Sequence, residues 1–158
     1  MICRNGEQEG DGKRRFTRIT RAARPAFRAI AADDAAHIAR GLLTNACSRA
    51  FIAELSYDCS TGLTSILVRL PCTKGLSDRE LLSVARLQRT SLLARIDYDE
   101  EDRFLIARTS AVCPVRSGAS DMLNLMVEDL VRLLDDDRLG ALIDSRDPVA
   151  THSTPERP

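Results

Sequence analysis

Apolar and polar positions along the middle of the chain repeat with two different periods, and the changes of period mark out its elements. From Pro25, "PAFRAIAADDAAHIARGLL" sets Phe27, Ile30, Ala31, Ala35, Ile38 and Leu42 three and four residues apart. That spacing predicts a first helix with one apolar face, Pro25 in its first turn and Gly41 and Asn45 as stop signals. "AFIAELSYD" then alternates, with Phe51, Ala53, Leu55 and Tyr57 opposite Glu54, Ser56 and Asp58, the period of a half-buried strand. "CSTG" turns the chain, and "LTSILVRLP" returns with Ile66, Val68 and Leu70 on one face, so the pair reads as an antiparallel hairpin whose loop holds Gly62 and which Pro71 ends.

In "LSDRELLSVARLQRTSL", Ser77 followed by Glu80 is a capping box and Leu76 with Leu81 a hydrophobic staple, which predicts the start of a second helix. Its face would carry Leu81, Val84, Ala85 and Gln88, widened by Leu82 and Leu87. "LLARIDYD" and "RFLIARTSAV" alternate as a second hairpin, with "DEED" between them. Finally, "SGASDMLNLMVEDLVRLLDDDRLGALID" offers Ser117, Ser120 and Asp121 as caps and runs Met122, Leu123, Met126, Leu130, Leu133 and Leu134 along a third helix. Asp135, Asp136 and Asp137 oppose the negative end of the helix dipole, so a break and a short new turn bearing Leu139, Leu142 and Ile143 are predicted there.

The order is that of an α+β domain, an antiparallel β-sheet flanked by helices, α-β-β-(β)-α-β-β-α. At 158 residues the chain suits one domain able to bury a core of its own. Residues 25–144 are read as that domain, 1–24 as a mobile basic arm in which "FTRIT" could form a short edge strand, and 145–158 as a disordered tail.

Charge adds an asymmetry to this picture. The net charge is zero, but residues 1–30 carry eight basic groups against three acidic ones and the remainder carries the opposite excess. Arg14, Arg15, Arg18 and Arg21 are therefore candidate anion contacts, although no aromatic ladder or recognition-helix pattern accompanies them. No apolar run approaches the ~20 residues of a membrane span, and "MICRNGEQEG" lacks the apolar stretch of a secretory signal, so a cytoplasmic protein is expected. The five cysteines, Cys3, Cys47, Cys59, Cys72 and Cys113, are scattered, with no C-x-x-C, and read as reduced thiols.

The densest chemistry lies at Asp97, Asp99, Glu100, Glu101 and Asp102. As an EF-hand loop it fails, because Asp102 stands where glycine is needed and Arg108 where the bidentate glutamate belongs. A solvated turn does not separate the pKa values of paired carboxylates either, so the acids read as a hairpin tip. There is no phosphate-binding glycine loop, nucleophile elbow or H-E-x-x-H. The two histidines, His37 and His152, form no triad. A non-enzymatic protein without metal or cofactor is expected.

"LLSVARLQRTSLLARIDYDEEDRFLIARTSAV" followed by "DMLNLMVEDLVRLL" resembles the central helix, short acidic hairpin and closing amphipathic helix of the secretion-chaperone-like fold, shared by bacterial type III secretion chaperones and the YbjN family of sensory transduction regulators. The resemblance covers roughly residues 26–143. The chain departs from it in showing two clear strands before the second helix where class I chaperones have three, the missing one sought in "FTRIT" or "NACSRA", and in having no Asn within 77–93. The resemblance implies a homodimer that binds a partner polypeptide, pairing through the central helix and an adjoining strand. Surplus apolar surface on the second helix and strand 103–112 points the same way and puts Leu82, Leu87 and Leu105 at the dimer interface. The sheet would be the working surface, its contact residues unassigned. The alternative is a nucleic-acid-associated regulator using the arginines of the arm.

Overall fold

A computed structural model of the chain describes residues 5–113 and 118–143, with side chains from residue 10 onward. Cys3, Ser117, His152 and the tail 145–158 lie outside the described residues. Six strands form one antiparallel sheet in the order β1-β2-β3-β4-β6-β5. They are β1 (Phe27–Asp33), β2 (Ile38–Thr44), β3 (Ala50–Asp58), β4 (Leu63–Pro71), β5 (Ala94–Asp99) and β6 (Phe104–Val112). The helices are α1 (Asn5–Ala23), α2 (Asp78–Gln88), α3 (Ala119–Leu134) and α4 (Asp137–Gly140).

Four strands, α2 and α3 stand where the periodicity puts them. The capping box forms in full: Ser77 Oγ accepts from the Glu80 N–H, and the Glu80 carboxylate accepts from the Ser77 N–H at 2.7 Å. Helix α3 starts without a side-chain cap, on Gly118 at φ 88°, a left-handed conformation that suits glycine. It ends before the aspartates, and Asp136 caps α4 by accepting from the Arg138 N–H.

The first forty residues overturn two expectations. The helix predicted from Pro25 is a β1–β2 hairpin. Ala39, Gly41 and Leu43 of β2 alternate inward, whereas the three-and-four spacing that suggested a helix runs across two strands and the turn between them. Asp33 closes that turn by accepting from the N–H groups of Ala35 and Ala36 at 3.0 and 3.1 Å. Strand β1 is irregular, with a register shift between Arg28 and Ala31 around Ala29 at φ 50°. A Cβ on Gly41 would stand 3.2 Å from the Arg28 carbonyl oxygen, so glycine lets the distorted strand lie close.

The arm expected over 1–24 is helical from Asn5 to Ala23. Gly12, Phe16, Ile19, Thr20 and Ala23 recur at helical spacing and are buried. The folded unit therefore takes in α1, and "FTRIT" belongs to that helix. The strands absent from the sequence reading are β1 and β2, with "NACSRA" serving mainly as the turn after β2.

One face of the sheet meets the helices. Leu43, Leu55, Ile66, Ile96 and Leu105 join Phe16 of α1, Leu87 of α2 and Leu123, Met126 and Leu130 of α3 in a single core. Among the described residues, no helix covers the other face.

Candidate partner-binding face

The bare face is built by strand alternation. While Ala53, Leu55 and Tyr57 of β3 turn to the helices, Ile52, Glu54 and Ser56 turn away. Register extends this across the sheet: Leu42 pairs with Ile52, Glu54 with Leu67, Leu67 with Arg108, and Arg69 with Ile106. Ile52 is 53% exposed, and Leu42, Leu67, Phe104 and Ile106 are half-buried, with no second layer of the described residues over them. Because Leu67 faces Glu54 and Arg108, it lies diagonally next to both Ile52 and Ile106, so these side chains line a short apolar band across four strands.

Polar groups bound the band. Arg40 Nε donates to the Glu54 carboxylate at 2.9 Å, Arg108 reaches Asp97 at 3.0 Å, and the hydroxyls of Ser65 and Ser110 meet at 2.8 Å. Arg28, Arg40, Arg69, Arg95 and Arg108 share this face with Asp33, Glu54, Asp58, Asp97 and Asp99, so charges of both signs border the band. An apolar band bordered by charges of both signs is suited chemically to an amphipathic peptide.

Of the residues assigned to a dimer interface, only Leu82 is on the surface, 60% exposed on α2 beside the exposed Leu81. Leu87 and Leu105 are fully buried in the core of the single chain. The reason is geometric in both cases. Val84 and Leu87, three apart, form the inward stripe of α2, and Leu105 pairs with Leu70 and Tyr98 on the helix-covered face. Strand 103–112 shows Phe104, Ile106 and Arg108 outward instead.

Arg14, Arg18 and Arg21 are exposed along α1. Arg15 is half-buried, and a hydrogen bond with Tyr57 and the Asp11 carboxylate 2.7 Å away raise its pKa further, so it is engaged within the chain. The acidic run occupies the β5–β6 turn, with Asp99 accepting from the Asp102 N–H at 3.0 Å and Asp97 paired with Arg108. Among the described residues no three His, Cys, Asp or Glu side chains are grouped to hold a metal ion.

One structural residue went unread. Asp129 of α3 is 2% exposed and accepts from Ser91 Oγ and from the N–H groups of Leu92, Leu93 and Ala94, tying α3 to the start of β5. Its signal was present in the sequence, since a position three after Met126 falls on the apolar stripe and a carboxylate there has to be satisfied.

With this geometry in view, a chain of the solved HopA1–SchA chaperone–effector complex is similar in structure, with a TM-score of 0.54 and 16% identity over 82% of this chain and 94% of that chain. The chain has the secretion-chaperone-like α+β fold. No protein-family model matches it, and no curated protein does. At that identity the likeness is one of fold. No described helix is long and apolar enough to cross a membrane.

Proposed function

We propose that the protein is a non-enzymatic binding module that acts in the cytoplasm as a homodimer, each copy holding a segment of a partner polypeptide on the bare sheet face, in the manner of a type III secretion chaperone. The observation that carries this reading is the apolar band of Leu42, Ile52, Leu67 and Ile106 that no other described element covers on one side of the sheet. Exposed contiguous apolar surface on a folded chain marks an interaction site. The fold likeness to a chain from a chaperone–effector complex supports the same class. Dimerisation is assigned to the exposed Leu81 and Leu82 of α2, separate from the peptide face.

The test uses affinity purification from the native cell, with wild type and Ile52→Glu/Ile106→Glu side by side. A specific polypeptide recovered with wild type and lost with the double variant, whose circular dichroism remains that of the wild type, supports the assignment. Equal recovery by both removes the sheet face from binding. Light scattering should give about twice the 17.4 kDa chain mass for wild type and the single mass for Leu82→Glu. A wild-type monomer at micromolar concentration refutes the dimer.

A further inference from the structure

Away from the bare face, the middle of α1 and the ends of two hairpins border an open cleft of about 720 Å³ lined by Asp11, Gly12, Arg15, His37, Tyr57, Asp58, Cys59 and Ser60. The volume falls within the range of small-molecule sites. Inside it, His37 Nδ1 stands 3.1 Å from Cys59 Sγ, and Nε2 4.0 Å away. The imidazole is held in place, its ring 5.6 Å from that of Phe16 and 6.5 Å from that of Tyr57 between centroids, with the His37 carbonyl accepting from the Tyr57 N–H at 3.0 Å. Gly12 keeps the helix compatible with the thiol, because a Cβ there would come within 2.5 Å of Cys59 Sγ.

We propose that Cys59 and His37 form a nucleophilic thiol–imidazole pair at which a small disulfide carrying no negative charge exchanges, leaving Cys59 in a mixed disulfide. Burial and the neighbouring Asp58 carboxylate push the Cys59 thiol up, so it rests protonated and needs a base to react. His37 Nδ1 is at the distance a general base requires. It takes the thiol proton as the sulfur attacks one sulfur of the incoming disulfide. A bond forms between Cys59 Sγ and that sulfur while the disulfide's own S–S bond breaks. The departing half leaves as a thiolate and takes the proton back from the imidazolium, so Cys59 is oxidised and the incoming disulfide is the oxidant. The carboxylates of Asp11 and Asp58 outnumber the guanidinium of Arg15 at the cleft, which disfavours an anionic disulfide.

The experiment treats the full-length protein at neutral pH with cystamine and follows each cysteine by peptide mapping, with the exposed Cys47 as internal reference. Cys59 is expected to form the mixed disulfide about tenfold faster than Cys47 or more, and His37→Asn to bring it down to the Cys47 rate. Asparagine suits this position because it accepts the positive φ of 52° that His37 adopts, and the fold is checked by circular dichroism. Cys59 reacting no faster than Cys47 in the wild type, or unchanged in a folded His37→Asn variant, overturns the pair. Should the variant not fold, the wild-type comparison decides alone. Glutathione disulfide should modify Cys59 more slowly than cystamine does, and an equal or faster rate overturns the charge assignment.

Discussion

A buried carboxylate surrounded by donors stabilises a fold only while it is ionised, and Asp129 is such a group. Burial alone would raise its pKa, but hydrogen bonds from Ser91 Oγ, Ala94, Leu93 and Leu92 outweigh that effect and hold it at about 2. Because the folded pKa lies below the ordinary 3.8, the unfolded chain binds the proton more readily. The contribution to stability is therefore complete above the unfolded value and is lost as pH falls from about 5 towards 2. A shift of this size corresponds to about 2 kcal/mol. Asp129→Asn is expected to cost about 1–3 kcal/mol at pH 7, because its amide group meets donors where an acceptor is needed. It should also flatten the loss of stability between pH 5 and pH 2. Urea unfolding of both proteins at several pH values measures this, and parallel pH profiles would deny Asp129 the role.

At the scale of elements, α2 offers the sharpest contrast between an end and a middle. Ser77 satisfies an N–H of the first turn and Glu80 returns the bond, whereas Ser83 stands inside the helix. Ser77→Ala is expected to destabilise by about 1 kcal/mol and Ser83→Ala by much less, read as shifts in the denaturation midpoint. Equal losses would place the start of α2 elsewhere. The same contrast explains what the sequence disclosed. Strands β3 to β6 were legible because each alternates over a full length between turn signals, and α2 because its cap is made within four residues. The β1–β2 hairpin was not, since it is alanine-rich, bulged at Ala29 and closed by Asp33, so its apolar residues imitate a helical period. Helix α1 was missed for the opposite reason: its inward stripe is short and includes a glycine and a threonine, and only its partners in the core show it to be a stripe.

For the whole molecule, the candidate face was legible as a sheet surface but not as particular residues. Which side of a strand stays bare depends on where the helices dock, and periodicity is blind to that. Leu87 and Leu105 show the limit, since each lies in an apolar-rich segment and only the assembled layers decide that both point inward. Docking of α1 is thus a global question with a global test. Phe16 is fully buried, and Ile19 and Ala23 share its face, so the helix completes the core beside α3. Phe16→Ala should cost about 3–5 kcal/mol, a large part of the roughly 5–15 kcal/mol that holds an ordinary domain together. Deleting residues 1–24 should do more, exposing the surface that Phe16 covers and yielding a chain that unfolds at markedly lower temperature or aggregates. A mobile arm would behave otherwise, since its removal leaves the melting temperature and the amide exchange of β3 unchanged. Thermal unfolding followed by circular dichroism, with hydrogen exchange on the Phe16→Ala variant should the deletion fail to fold, separates the two, and an unshifted midpoint for both variants would detach α1 from the core.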